Sequence, residues 1–276
     1  MAGHSKWANI KRRKAVVDAK RGKTFTKASK EIIVAARLGG GDVEGNPRLR
    51  MAVLNARSIS MPADNIKRAI LRGTGDVEGA NYEEMMYEGY GPGGVALIIE
   101  CTSENRNRTV ADLRAIMARN EGNLGEPNSV AWNFVRKGEL RATSVLSEDQ
   151  LTELALDAGA DDVQVNDVRQ EADHRNANAN ARVAPQRGAP VDARGVVFYC
   201  ATDVLAQCSV ALTANGLDIQ ESRFIYEAIN TIAVSDADVA RKLLKLLDAI
   251  EDNDDVQNVY NNADIADDVL AALDES

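Results

Sequence analysis

Apolar side chains recur at helical spacing through the first quarter of the chain. Phe25, Ala28, Ile32 and Ala36 fall on one stripe, predicting a helix from about Thr24 to Leu38 that Gly39-Gly40-Gly41 stops. A second helix is expected after Pro47, carrying Leu49, Val53 and Leu54. A third is expected to open at Pro62, whose missing N–H costs nothing in a first turn, with Asp64 near the unpaired amides. It would bury Ile66, Ala69 and Ile70 and end at Gly73. Short amphipathic helices joined by short loops make a small bundle.

Beyond Gly73 the period changes. Residues 73–94 are rich in turn formers and acids (Asp76, Glu78, Glu83, Glu84) and read as a linker. Val95 to Cys101 is a continuous apolar run that predicts a strand. Thr109-x-x-Asp112 reads as a capping-box variant opening a helix with Val110, Leu113, Ile116 and Met117 inward, and Ser129 to Val135 reads as a strand. From 139 to 226 the order is β-α-β-β-α-β. The strands are Leu140–Leu146, Val163–Val168, Val196–Ala201 and Leu217–Tyr226. The helices are one capped by Ser147-x-x-Gln150 and closed by Gly159, and one from Thr202 to Asn215 closed by Gly216. That order belongs to a ferredoxin-like sandwich. Its middle connection, 169–194, contains Asn176-Ala-Asn-Ala-Asn-Ala and two prolines and is expected to be disordered. A strand (Ile229–Val234), a helix capped by Ser235-x-x-Asp238, a short strand (Val256–Tyr260) and an acidic tail complete the chain. The expected fold class is α+β. A basic arm plus helical bundle (1–80) precedes a discontinuous α+β middle domain (81–136 and 227–276). A ferredoxin-like domain (137–226) is inserted into the middle one.

Charge adds what periodicity cannot. Residues 1–73 hold 17 Lys+Arg against 5 Asp+Glu, a net of +12, while the remainder holds 16 against 37, or −21; together these give the chain's −9. A basic head on an acidic body predicts an anionic partner approached head first. Neutralising phosphates releases condensed counterions, so affinity should fall with salt at roughly 0.9 log units per contact on duplex DNA. The residues expected to carry this are Lys6, Lys11, Arg12, Arg13, Lys14, Lys20, Arg21, Lys23 and Lys27. Trp7 is the one aromatic among the first cations, placed either to stack on a base or to anchor the arm. Residues 1–23 are expected to form a mobile or partner-ordered arm.

Other chemistry is sparse. Gly89-Tyr-Gly91-Pro-Gly93-Gly94 matches the dinucleotide pattern G-x-G-x-x-G, but it precedes a strand where the fingerprint needs a strand before and a helix after. A tight turn is the better reading, and a nucleotide-binding enzyme using this run is a minor alternative. Asn105-Arg106-Asn107-Arg108 stands before a helix, so Arg106 and Arg108 form a possible anion site, or else pair with the acidic body. The two histidines, His4 and His174, are far apart, and no catalytic triad or metal-ligand cluster is visible. Neither catalysis, a metal nor a cofactor is expected. Cys101, Cys200 and Cys208 are odd in number and set in apolar segments, the pattern of reduced thiols. The N-terminus lacks the apolar core of a secretory signal, and no apolar run nears the roughly 20 residues that span a bilayer. A cytoplasmic protein without a membrane partner is expected.

Several long runs carry a resemblance. AGHSKWANIKRRKAVVDAKRGKTFTKASKEIIVAAR (2–37), NPRLRMAV (46–53), MPADNIKRAILRGTG (61–75), YEGYGPGGVALI (87–98), NRNRT (105–109) and GNLGEPNSVAWNFVRKG (122–138) resemble the YebC family, also known as the PmpR-type regulators. The mitochondrial translational activator of cytochrome oxidase subunit one belongs to the same group. The resemblance implies three domains, with a ferredoxin-like one inserted into the second, and a non-enzymatic regulator of gene expression. Members are described as DNA-binding transcriptional regulators and as translation factors acting on ribosomes. The chain departs from the family at 169–194, which is longer and of lower complexity. Residue chemistry leans towards ribosomal or transfer RNA, with the ribosome itself as a candidate partner, because no recognition helix shows an Arg/Asn/Gln cluster for base readout. Sequence-specific DNA binding is the alternative.

Overall fold

The computed structural model describes residues 19–79, 81–166 and 194–274. Most of the expected arm and residues 169–193 of the expected loop lie outside them. Three helices come first: α1 (Ala19–Gly39), α2 (Pro47–Ser58) and α3 (Ala63–Thr74). Asn46 joins the first two. Its Oδ1 accepts the Leu49 N–H at 3.1 Å, and its Nδ2 donates to the carbonyls of Ala35 and Gly40, each at 2.8 Å. One side chain therefore opens α2 and satisfies carbonyls at the end of α1.

Gly73 does not end α3. The helix continues to Thr74, and the left-handed cap is Gly75 at φ 85°. Gly73 serves close approach instead: a Cβ there would stand 2.6 Å from both the Ala36 Cβ and the Ile33 carbonyl oxygen. The bundle core is Ile32, Ala36, Leu49, Val53, Ala56 and Ile66.

The rest of the chain runs β1 (Glu83–Tyr90), β2 (Ala96–Ser103), α4 (Arg106–Arg119), β3 (Asn123–Leu124), β4 (Phe134–Ser144), α5 (Glu148–Ala158) and β5 (Asp162–Asn166). Then come β6 (Arg194–Cys200), α6 (Leu205–Ala214), β7 (Asp218–Ala228), β8 (Ile232–Val234), α7 (Ala237–Glu251), β9 (Val256–Asn261), β10 (Ala263–Ile265) and α8 (Asp267–Asp274). One antiparallel sheet has the order β3-β1-β2-β9 and a second the order β5-β6-β4-β7; β8 and β10 form a parallel pair. The second sheet has the strand order of a ferredoxin-like unit. The fold is α+β, with N-terminal helices, a sheet closed by late-arriving β9, and the ferredoxin-like unit between.

Several elements differ from expectation. β1 lies within the segment read as a linker: Met85 and Tyr87 pack on one core, while Glu88 is buried on the other side. The Glu88 carboxylate accepts the backbone N–H groups of Asn128 (2.6 Å), Val130 (2.7 Å) and Ala131 (2.8 Å). α4 is capped by Asn105, not Thr109, because Asn105 Oδ1 reaches the Arg108 N–H at 3.0 Å. Residues 131–133 form a short 3-10 turn, and the two strands expected at 129–135 and 140–146 are replaced by one, β4. The expected boundaries at 136/137 and 226/227 thus fall inside β4 and β7. Asp236, not Ser235, caps α7, accepting from the N–H groups of Asp238 and Val239. The expected acidic tail folds as β10 and α8, with Val269 in the core. The Ser147/Gln150 capping box and the left-handed Gly159 and Gly216 stand where expected.

Three further cores follow from the sheets. One face of the first sheet packs on α4, α7 and α8 through Leu97, Ile99, Leu113, Leu243, Leu247 and Val259. The second sheet packs on α5 and α6 through Leu140, Leu151, Phe198 and Leu212. Their remaining faces meet through Ile98, Phe134, Val197, Tyr199, Ile225 and Tyr260.

Candidate nucleic-acid interface

α1 carries lysines along one side, and the structure shows what Lys23, Lys27 and Lys30 touch. Lys23 and Lys27 are one turn apart and reach the C-terminal end of α7. Lys23 Nζ is 2.9 Å from the Asp252 carbonyl and 3.0 Å from Asp252 Oδ1; Lys27 Nζ is 2.8 Å from the Glu251 carbonyl. The end of a helix presents unpaired carbonyls and a partial negative charge, and α7 has no basic residue in its own last turn. The lysines of α1 supply that charge from outside.

Lys30 is one turn further and buried. Its ammonium donates to the Thr102 carbonyl (3.0 Å), the Asp254 carbonyl (2.8 Å) and Asp255 Oδ1 (2.9 Å), and the Tyr82 ring lies 5.5 Å away. Asp255 Oδ2 receives the Ser103 and Thr109 hydroxyls and Arg108 Nη2, each at 2.9 Å. Burial alone would raise the Asp255 carboxyl, but hydrogen bonds from Arg108, Lys30, Thr109 and Ser103 outweigh it and hold the group down at about 2. Lys30 and Asp255 thus tie α1 to β2, α4 and the turn before β9.

Lys6, Trp7, Lys11, Arg12, Arg13 and Lys14 lie outside the described residues, as do His4 and His174. Lys20 and Arg21 stand on the first turn of α1. Of the possible anion site, Arg108 is bonded to Asp255, and Arg106 is exposed beside Tyr87, whose phenol burial pushes up against the weaker pull of Arg106. The other partnered cations of the bundle are Arg37 with Asn81 and the Tyr82 carbonyl, Arg48 between Glu31 and Glu84, and Arg50 with Glu44. Arg57, Lys67, Arg68 and Arg72 are exposed. Sequence reasoning passed over the last three, although the spacing of Ile66, Ala69 and Ile70 against them marks the outer side of an amphipathic helix.

The glycine run forms a hairpin turn between β1 and β2 through a short 3-10 segment, Pro92–Gly94. A Cβ at Gly91 would meet Leu243 at 3.1 Å, and one at Gly93 would meet Val239 at 2.9 Å. These glycines let the turn lie against α7. No helix follows them, so the geometry is not that of the dinucleotide fingerprint.

A cleft of about 440 Å³ opens where α1 and α2 face the β6–α6 turn, lined mainly by Ala35, Leu38, Met51, Leu205 and Phe224, with Arg48 and Asp203 at hand. Nearby, the Asn55 side chain pairs with both backbone groups of Ser222 on edge strand β7, at 2.9 and 3.0 Å. The three cysteines are buried and free, and burial pushes the Cys101 thiol up to about 12. Among the described residues, no cluster of three or more His, Cys, Asp or Glu could hold a metal, and no helix is long and apolar enough to cross a membrane.

Two family models match. The TACO1/YebC protein N-terminal domain covers residues 5–76, and the TACO1/YebC second and third domain covers 82–263. Proteins named "Probable transcriptional regulatory protein" are similar over their whole length: 49% identity in Chloroherpeton thalassium, 48% in Chlorobaculum tepidum and 46% in Desulfotalea psychrophila, each covering 100% of both chains. The crystal structure of a conserved hypothetical protein, Aq1575, from Aquifex aeolicus is similar at 38% identity and a TM-score of 0.75, over 91% of this chain and 93% of that one. With both family models and full-length relatives in agreement, this chain belongs to the TACO1/YebC family.

Proposed function

We propose that this protein is a non-enzymatic, cytoplasmic regulator of gene expression that grips the phosphate backbone of nucleic acid with its basic head, residues 1–80. The observation that carries this reading is the charge segregation: +12 over residues 1–73 against −21 over the rest. Such a body is repelled by phosphate and leaves the head as the approaching end. The contacts are Lys6, Lys11, Arg12, Arg13, Lys14, Lys20 and Arg21, with Trp7 stacking or anchoring. Lys23 and Lys27 form the root of the arm, where they also bridge to α7. Ribosomal or transfer RNA is the favoured target, since a grip through charge and shape needs no base-reading helix.

The printed name of the relatives favours a second reading, DNA binding at promoters. Ultraviolet crosslinking in cells, followed by sequencing of bound RNA and DNA, separates the two. Recovery dominated by ribosomal or transfer RNA supports the first, and a discrete set of promoters replaces it with the second. Reversing Lys11, Arg12, Arg13 and Lys14 to Glu tests the grip itself. Unchanged affinity and salt dependence would point to a protein-binding adaptor.

A further inference from the structure

Beyond Lys20 and Arg21, the cations of the described head fall into two groups. Lys23, Lys27, Lys30, Arg37, Arg48 and Arg50 are engaged by carboxylates or carbonyls of the chain itself. Arg57, Lys67, Arg68 and Arg72 are exposed and form no ion pair with another described residue. Three of these four stand on α3. At 3.6 residues per turn, Lys67 and Arg68 fall on the side away from Ile66, Ala69 and Gly73, which are buried against α1, and Arg72 falls at the edge of that side. Asp64 is the one acidic residue of that helix. Arg57 stands on the last turn of α2, directly before it.

This flank is held rigidly. The close approach of Gly73 to Ala36 and Ile33 fixes how α3 crosses α1, so its outer side presents the same cations to any partner.

We infer that the outer flank of α3 is a second phosphate-contact surface, through which Lys67, Arg68 and Arg72 engage the backbone of duplex RNA beside the contacts of the arm. The inference rests on the nucleic-acid reading above. RNA is the committed partner because, beside its cations, this flank offers a single amide side chain, Asn65, too little for reading a run of base edges. Double-stranded RNA is held through backbone and shape.

The test uses the full chain, a fluorescent 20-base-pair RNA duplex and a DNA duplex of the same sequence, with binding followed by anisotropy across a salt titration. The variant K67Q/R68Q/R72Q is expected to bind the RNA duplex roughly 100-fold more weakly at 0.15 M salt. Its log–log salt slope should be shallower by between two and three, as the loss of about three phosphate contacts implies. K67R/R68K/R72K, which keeps the charge, is expected to bind like the parent. So is R119Q/K245Q, which removes exposed cations from α4 and α7. A glutamine variant with the parent's affinity and slope overturns the α3 surface and leaves the proposed function standing. A parent that binds neither duplex with a salt-dependent affinity overturns the proposed function and the inference with it. Loss confined to the DNA duplex overturns the assignment to RNA.

Discussion

Lys30 Nζ lies 2.9 Å from Asp255 Oδ1, and the two side chains, 225 positions apart, are 6% and 7% exposed. Every proton of the ammonium has an acceptor and both carboxylate oxygens are bonded, so the pair meets the condition under which buried charges are tolerated. It is the deepest polar attachment between helix α1 and the sheet behind it.

Lys30→Met should therefore be severe. Removing one member of a buried pair leaves the other charge without its partner, at a cost of about 3–5 kcal/mol. Arg108 still reaches Asp255, which places the expected loss near the lower end. Urea denaturation at unchanged m-value measures it, and a loss below about 1 kcal/mol would show that the pair does not hold the head in place.

Acid should release the same attachment. The Asp255 carboxyl is held at about 2 in the folded chain, below the ordinary value of 3.8. A depressed carboxyl contributes stability that is present above its unfolded pKa and lost as pH falls towards its folded one. Here that is roughly 2 kcal/mol, lost between about pH 5 and pH 2. Asp255→Asn should flatten this part of the stability profile, as read by thermal melts from pH 7 to pH 2.

Gly73→Ala tests the crossing of α3 over α1. Helix propensity favours alanine by about 1 kcal/mol, but the added Cβ would stand 2.6 Å from backbone and side-chain atoms of α1. Overpacking of that kind costs about 1–3 kcal/mol, so the melting temperature should fall. A rise would mean that the helices separate without cost.

Lys23→Gln with Lys27→Gln separates anchoring from phosphate contact at the root of the arm. Both ammonium groups lie on the carbonyls that end α7. The double variant is expected to lose less than about 1 kcal/mol of stability, because these are partly exposed contacts. Its salt slope for RNA should shift by less than the two contacts it nominally removes. A full two-contact shift with unchanged stability would make both lysines phosphate ligands only.

Much of the fold could be read from local patterns because local chemistry decided it. The stripe Phe25, Ala28, Ile32, Ala36 and the Ser147/Gln150 box each depend on residues a turn apart. β1 escaped because its acidic and turn-forming neighbours resemble a linker. What makes it a strand is distant, including the backbone amides near residue 130 that donate hydrogen bonds to the buried Glu88. The Thr109-x-x-Asp112 pattern predicts a cap that Asn105 provides. The threonine hydroxyl turns to Asp255 instead, a partner 146 positions away. The same distance hides how the cations divide. Lysine and arginine look alike along the chain, and their carboxylate and carbonyl partners come from α7, β1 and the turn before β9.

β4 and β7 each run eleven residues and pair along most of that length, with one shift of register between Arg141 and Ala142, and pass from one core into the next. At about 3.4 Å per residue, they form a beam some 37 Å long. That beam is clamped at both neighbours, to the first sheet through Phe134 and Ile225 and to α2 through Ser222 and Asn55, so the ferredoxin-like unit cannot shift against one without pulling on the other.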